Sequence, residues 1–335
     1  MAYQTGDSIL DDEYNVFATG NAAGSATNSG NVNNIWGTGN GDSGYGQSTV
    51  LTAVSAGSNV TASQWATLLT RITTMGSHQG TSLGAMTSPS AGNDIEIIAQ
   101  LSSNIASLYS NRLNAAGNGT TSAASNSDST GNWSVSAVQE ITYTFATADG
   151  ARYFFNGGGY ISVDPQVTGY TGDAKARSWD ALTQMCGTIN LLASGSSVTG
   201  GSNSITVTEA HTSSQTTLAT TTGYYDLTTS YVTIFQRDLT TSGSPYISGG
   251  ANAVKIEAKT NGVQGSNADN GTVITLKVSF LDASSDQTYD KAEYNPVDIM
   301  DGTVRNVRTS TPPSTTYLTD TWDDPSFGQA SATHT

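Results

Sequence analysis

The feature that most limits what this chain can fold into is a switch in its hydrophobic period near residue 134, from about 3.6 to 2. Before the switch, apolar residues recur at helical steps. In VTASQWATLLTRITTMGSHQG, Trp65, Leu68, Leu69, Ile72 and Met75 mark one helix face, with Thr61 or Ser63 able to cap its start and Gly76 or Gly80 its end. Residues 93–113 carry a second stripe through Ile98, Leu101, Ile105, Leu108 and Arg112. Two heptads are too few to define a coiled coil, so this stripe faces either the chain's own core or a partner subunit. A short helix is expected within residues 1–20, around Ile9, Tyr14 and Phe17, and Val32, Ile35 and Trp36 anchor the Gly/Asn/Ser-rich stretch that follows.

After the switch, Ile141, Tyr143 and Phe145 alternate with Thr142, Thr144 and Ala146, the pattern of a strand with one wet face. Asp149-Gly150 reads as a hairpin turn leading to strands over 152–155 and 160–163. One helix is inserted at 173–192, on the spacing of Trp179, Leu182, Cys186 and Ile189, and further strands are expected at 204–208, 224–237, 253–259, 272–281 and 298–308. Residues 114–133 have the low apolar content of a linker, and Trp322 anchors an acidic, loosely ordered tail. The fold class expected is α+β. A helical, Gly-rich docking region (1–113) and a linker (114–133) precede a mostly antiparallel, sandwich-like β domain (134–320) with one inserted helix, followed by a tail (321–335).

Composition narrows function mainly by exclusion. Twelve Lys+Arg against 27 Asp+Glu give a net charge of −15, which withholds the cations that binding a phosphate backbone requires. One cysteine and three histidines allow neither an intramolecular disulfide nor a Cys/His zinc cluster. No apolar run is long enough for a helical membrane span, and MAYQTGDSIL has no basic and apolar leader pattern, so a reducing compartment is expected. The 15 Tyr, 7 Phe and 5 Trp supply a core, which argues against disorder.

Each motif with chemical potential has a plainer reading. Gly39-x-Gly41-x-x-Gly44 matches the dinucleotide fingerprint, but that chemistry needs a strand before it and a helix after it. Here NNIWGT and YGQSTVLTAV flank it, and a glycine turn packed on Trp36 and Tyr45 is expected. Asp11, Asp12 and Glu13 suit a helix start, and Asp320, Asp323 and Asp324 a solvated face, rather than paired catalytic carboxylates. Asp269-Asn270-Gly271 is turn chemistry rather than a calcium loop. His78, His211 and His334 are scattered, and no G-x-S-x-G elbow accompanies them, although so many serines leave a Ser-His-Asp triad open. Cys186 falls on an apolar stripe and is expected to be buried. Tyr153-Phe154-Phe155 and Tyr224-Tyr225 are expected to be buried rather than open to stack on sugars. No catalytic, cofactor-binding or metal-ligating residue is assigned.

The text ARYFFNGGGYISV, followed by SWDALTQMCGTINLL, resembles a module of tailed-bacteriophage virion proteins in which an R-[YF]-F-F-N-x-G-G-x-I strand precedes W-x-x-L…[MI]-G-T-I. The matching residues are Arg152, Phe154, Phe155, Asn156, Gly158, Gly159, Ile161, Trp179, Leu182, Gly187, Thr188 and Ile189. YQTGDSI, EYN, NNIWGTGNGDSGYGQ and TASQWATLLTRI…HQGTS are similar to the start of structural proteins from cyanophage-like viruses. Together these stretches touch about a third of the chain. The resemblance implies a non-enzymatic virion part of the tail, fibre or neck, assembled in host cytoplasm. Its expected partners are other virion proteins of tail, neck or head and further copies of itself, for instance as a trimer. Alternatives are an adhesin for host surface glycan, a capsid decoration protein and a glycan-depolymerising tailspike. No nucleic acid, cofactor or membrane span is expected.

Overall fold

A computed structural model of the chain describes residues 11–20, 30–87, 98–115, 117, 120–121, 123–170, 174–241, 252–263, 270–282 and 300–335. Four helices come first: α1 (Asp11–Ala18), α2 (Val32–Trp36), α3 (Ala62–Gln79) and α4 (Ile98–Ser110). There follow β1 (Ala123–Thr130), β2 (Ser136–Thr144), α5 (Ala148–Asn156), β3 (Tyr160–Thr168), α6 (Ala174–Cys186), β4 (Thr188–Leu191), β5 (Ser196–Thr199) and β6 (Ser204–Val207). The chain continues through β7 (Glu209–Leu218), β8 (Val232–Thr241), β9 (Ala253–Thr260), β10 (Val273–Leu281), β11 (Thr303–Thr311) and β12 (Ser326–His334). The strands form two sheets, ordered β1-β11-β3-β4-β5 and β12-β2-β10-β9-β8-β7-β6, with every pairing antiparallel. This is an α+β chain with a sandwich-like β region.

The N-terminal helices follow their sequence signals. Thr61 and Gln64 form a reciprocal capping box at the start of α3, and Gly80, at φ 67°, ends it in the left-handed conformation. Leu101, Ile105 and Leu108 of α4 are buried in the chain's own core, which settles the facing of that stripe; residues 93–97 of the predicted helix lie outside the described residues. Tyr14 and Phe17 of α1 are buried, with Asp11, Asp12 and Glu13 in its first turn, while Ile9 lies outside the described residues.

Polar side chains bridge the two sheets. The Tyr143 hydroxyl of β2 donates to the Ser162 carbonyl of β3 at 2.6 Å. Gln139 of β2 donates to the Val304 carbonyl at 2.9 Å and accepts from Asn306 of β11 at 3.1 Å. Toward the other side of the sandwich, α6 packs on β3 of one sheet and on β6, β7, β8 and β9 of the other. It fills the space between them with buried Ala176, Trp179, Leu182, Met185 and Cys186. Buried apolar residues from the helices and both sheets form one contiguous cluster, from Tyr14 to Trp322.

Several expectations are corrected. Residues 152–155 are not a strand after a hairpin turn but part of α5, so two helices, not one, interrupt the strands. Thr147 caps α5 by accepting from Gly150 N at 2.9 Å. Gly150 serves close approach rather than a turn, because a Cβ there would meet an Asp323 carboxylate oxygen at 2.0 Å. The helix predicted over 173–192 ends at Cys186. Gly187 turns the chain at φ 67°, and residues 188–191 become β4; Asp173 lies outside the described residues.

The supposed linker contains β1, an edge strand, and the supposed tail contains β12. Both escape hydrophobic pattern reading because they carry few apolar residues: β12 packs on the core mainly through Phe327, whose ring is 5.5 Å from that of Tyr143, and its other links to β1 are polar. Ser127 of β1 meets Gln329 of β12 at 2.5 Å, and Ser129 meets His334 at 2.9 Å. Within 224–237, Tyr224–Asp226 is a 3₁₀ turn, and the strand β8 begins only at Val232. The strand predicted over 298–308 is β11, which starts at Thr303; Asp298 lies outside the described residues.

Candidate functional site

The best-defined polar site is a clamp built on α5, the segment that carries the chain from β2 in one sheet to β3 in the other. Helical spacing gives α5 two working faces. Ala151, Phe154 and Phe155 are fully buried, with Phe145 and Phe154 rings 5.4 Å apart and Phe155 stacked on Tyr224 at 4.2 Å. The second face presents Arg152 and Asn156, four residues apart, to the glycine loop that follows α2.

That loop explains its own glycine spacing. Gly39, Gly41 and Gly44 adopt φ of 53°, 56° and 97°. A Cβ on Gly39 would lie 2.4 Å from the Ser43 carbonyl oxygen, and one on Gly44 would lie 2.3 Å from that of Thr38. Backbone this tight admits only glycine, and it turns a ring of carbonyls inward. Arg152 donates to the carbonyls of Thr38 (2.8 Å), Gly41 (3.0 Å) and Ser43 (2.9 Å), and Asn156 donates to that of Gly44 (2.9 Å). A dinucleotide loop offers N–H groups to an anion. This loop offers C=O groups to a cation, and the protein's own guanidinium occupies it.

Neighbouring groups extend the clamp. Tyr225 donates to Asn156 Oδ1 at 2.6 Å and to the Gly41 carbonyl at 3.2 Å, tying in the 3₁₀ turn. Arg112, just past α4, donates to the Asp42 carbonyl at 3.0 Å and pairs with the Asp42 carboxylate. Gln47 exchanges two bonds with the Thr319 backbone, at 2.9 and 2.8 Å, so the approach to β12 is held as well. Asp323 accepts from the N–H and hydroxyl of Thr147, both at 2.8 Å, at the start of α5. The clamp thus ties five separate stretches of chain together, mainly through side chains bonded to backbone.

The remaining flagged residues are not drawn into one site. His78 is buried on α3, edge-on to Tyr45 at 5.2 Å, and burial pushes its pKa down to about 4 against a smaller opposing effect of a Gly157 backbone hydrogen bond. His211 is buried on β7, 3.9 Å from Glu209, whose carboxylate is held below its usual range by the hydrogen bond from Arg177. His334 bonds Ser129 and, through its other ring nitrogen, the Gly131 carbonyl at 2.8 Å. Here the third group is a backbone carbonyl rather than a carboxylate, and the contact joins the β1 and β12 edges.

Cys186 is buried, and desolvation drives its thiol pKa upward. Asp11 accepts from Gly57 N at 2.9 Å, and Asp12 is raised first by the neighbouring Asp11 charge. Asp324 is raised by burial and then by Asp320 and Asp323. Asn270 accepts from Val263 N at 2.8 Å in its turn, while Asp269 lies outside the described residues. Among the described residues no group of three or more His, Cys, Asp or Glu is placed to hold a metal ion, and no helix is long and apolar enough to cross a membrane.

Fold and clamp together define a two-sheet α+β chain whose N-terminal helices are locked to its sandwich through one short helix. Set against known proteins, the chain matches no family model, no curated protein and no solved structure.

Proposed function

We propose that this chain is a non-enzymatic structural component of a tailed-bacteriophage virion, in the tail, fibre or neck apparatus, working as a homo-oligomer. One observation carries the reading: the residues on which the phage resemblance rests serve the clamp and the core rather than an open site. Arg152 and Asn156 hold the glycine loop, and Phe154 and Phe155 fill the core. Gly159 allows backbone contact, since a Cβ there would meet the Phe154 carbonyl oxygen at 2.7 Å. Trp179 and Leu182 belong to the helix between the sheets, and Gly187, Thr188 and Ile189 make the turn into β4. A motif used this way encodes rigidity and attachment between segments rather than turnover. The net charge of −15 also suits a part that must not bind packaged DNA.

The test is to band intact particles from an infected culture on a density gradient and quantify peptides of this chain in each fraction. Co-banding at a few tens of copies per particle or fewer is expected for tail, fibre or neck. Hundreds of copies would reassign it to head decoration, and recovery only in the soluble lysate would refute a virion role. Turnover of host polysaccharide in a reducing-sugar assay would refute the non-enzymatic part.

A further inference from the structure

We propose that Lys175 and Asp282 condense into an intramolecular amide, a covalent cross-link between α6 and the chain just past β10. Lys175 Nζ lies 2.8 Å from Asp282 Oδ2, and the two side chains are only 7% and 0% exposed. Lys255, Lys259 and Lys277, the other described lysines, are only partly buried, on the outer side of the seven-stranded sheet. Among the described lysines, Lys175 is the one held inside the fold.

A cluster of aromatic rings is adjacent in the chain. Trp179 follows Lys175 by one helical turn along α6, and Phe280, near the end of β10, precedes Asp282 by two residues. The Trp133 and Trp179 rings are 4.9 Å apart, and Phe280 lies 6.4 Å from the first and 6.1 Å from the second. Asp282 is fixed by its own N–H, which donates to the Val135 carbonyl at 2.9 Å, and α6 is wedged between the sheets. Amine and carboxyl are therefore both immobilised in contact and away from water.

The chemistry follows from that placement. The step requires one proton to pass across the contact, from the ammonium to the carboxylate. The amine lone pair attacks Asp282 Cγ, and a C–N bond forms. The bond from Cγ to hydroxyl breaks, and the hydroxyl leaves with a proton from the amine as one water. No oxidant, reductant or third reactant is needed. In bulk water, ionisation of the free amine and acid drives the reverse reaction, and a dry site removes that drive. Fixed contact adds an effective concentration of about 10⁵–10⁸ M. The product would resist unfolding and proteolysis, which a particle component needs, but the inference stands on the pair alone and not on a virion role.

The experiment uses the full-length protein, incubated folded, then denatured and measured by intact mass spectrometry and peptide mapping. Expected is a mass lower by one water, together with a branched peptide joining the Lys175 and Asp282 segments. Asp149-Gly150 and Asp301-Gly302 can also lose water by closing to succinimides, so the branched peptide is the deciding signal. Asp282→Ala should abolish it, and Asp282→Asn should retain it by expelling ammonia instead of water. A wild-type chain of unaltered mass, or a water loss that maps only to an Asp-Gly pair, overturns the proposal without relying on either variant.

Discussion

Replacing Arg152 is the sharpest test of how this fold is held together. Its guanidinium is 5% exposed on the side chain and bonded to three carbonyls of the glycine loop, at 2.8, 3.0 and 2.9 Å. Each charge-assisted bond contributes about 1.5–3 kcal/mol net. The three share one donor group and do not add, so Arg152→Met is expected to cost about 3–5 kcal/mol, the range for breaking a buried charged contact. Asp149 contributes little, since its side chain is 69% exposed. Arg152→Lys keeps the charge but replaces a planar fork with a single point, and should lose roughly half as much. Arg305→Ala, which removes a solvent-facing pair with Asp128, serves as the control and should leave the unfolding midpoint unchanged. Equilibrium urea unfolding gives the energies, and hydrogen exchange shows whether amides over residues 37–46 lose protection first. If Arg152→Met unfolds within about 1 kcal/mol of wild type with that loop still protected, the clamp argument is wrong.

Three further outcomes are expected. Ile105→Asp places a carboxylate at a position 3% exposed and should destabilise the fold by more than about 3 kcal/mol, read by thermal unfolding; a folded variant that has lost only its oligomeric state would move that stripe to an interface. His78 is held at about 4 when folded against 6.5 unfolded. The unfolded chain therefore takes up the proton first, so stability is flat above 6.5 and falls as pH drops through the window to 4, by about 3 kcal/mol in all. Urea midpoints across that window should lose this component in His78→Gln, and an unchanged slope would contradict it. Cys186, the single cysteine, should be inert to a thiol-exchange reagent in the native protein and titrate fully on unfolding; rapid native reaction would contradict its burial.

Where a segment carries several apolar residues at one regular period, its sequence was sufficient to place it; short apolar segments such as α5 and β4 were not assigned correctly. The stripes through Trp65 and Leu101, the caps at Thr61 and Gly80, and the alternation of Ile274, Leu276, Val278 and Phe280 each carry a local period that survives into the fold. So did the burial of Cys186 and of the Phe154-Phe155 pair, although the latter lies on a helix rather than a strand. The clamp was half visible: the glycine spacing was conspicuous, but its partner was not, because Arg152 lies more than a hundred residues away in the chain. Only the i, i+4 placement of Arg152 and Asn156 on a helix hinted at it, and Asp149-Gly150 disguised that helix as a hairpin.

The sequence by itself determined the class of fold, since hydrophobic period is a local property and each element must bury its own apolar face. It also determined where a backbone turn demands glycine. Only the tertiary structure decided the elements with few apolar residues at a regular period. β1 and β12 pair along β11 and β2, and Ser127 with Gln329 and Ser129 with His334 tie the two strands across the sandwich edge. α5 is a helix because one of its faces meets aromatic rings while the other meets a ring of carbonyls. Hydrogen bonds between distant segments leave no periodic trace along the chain, so those elements became legible only once their partners were in place.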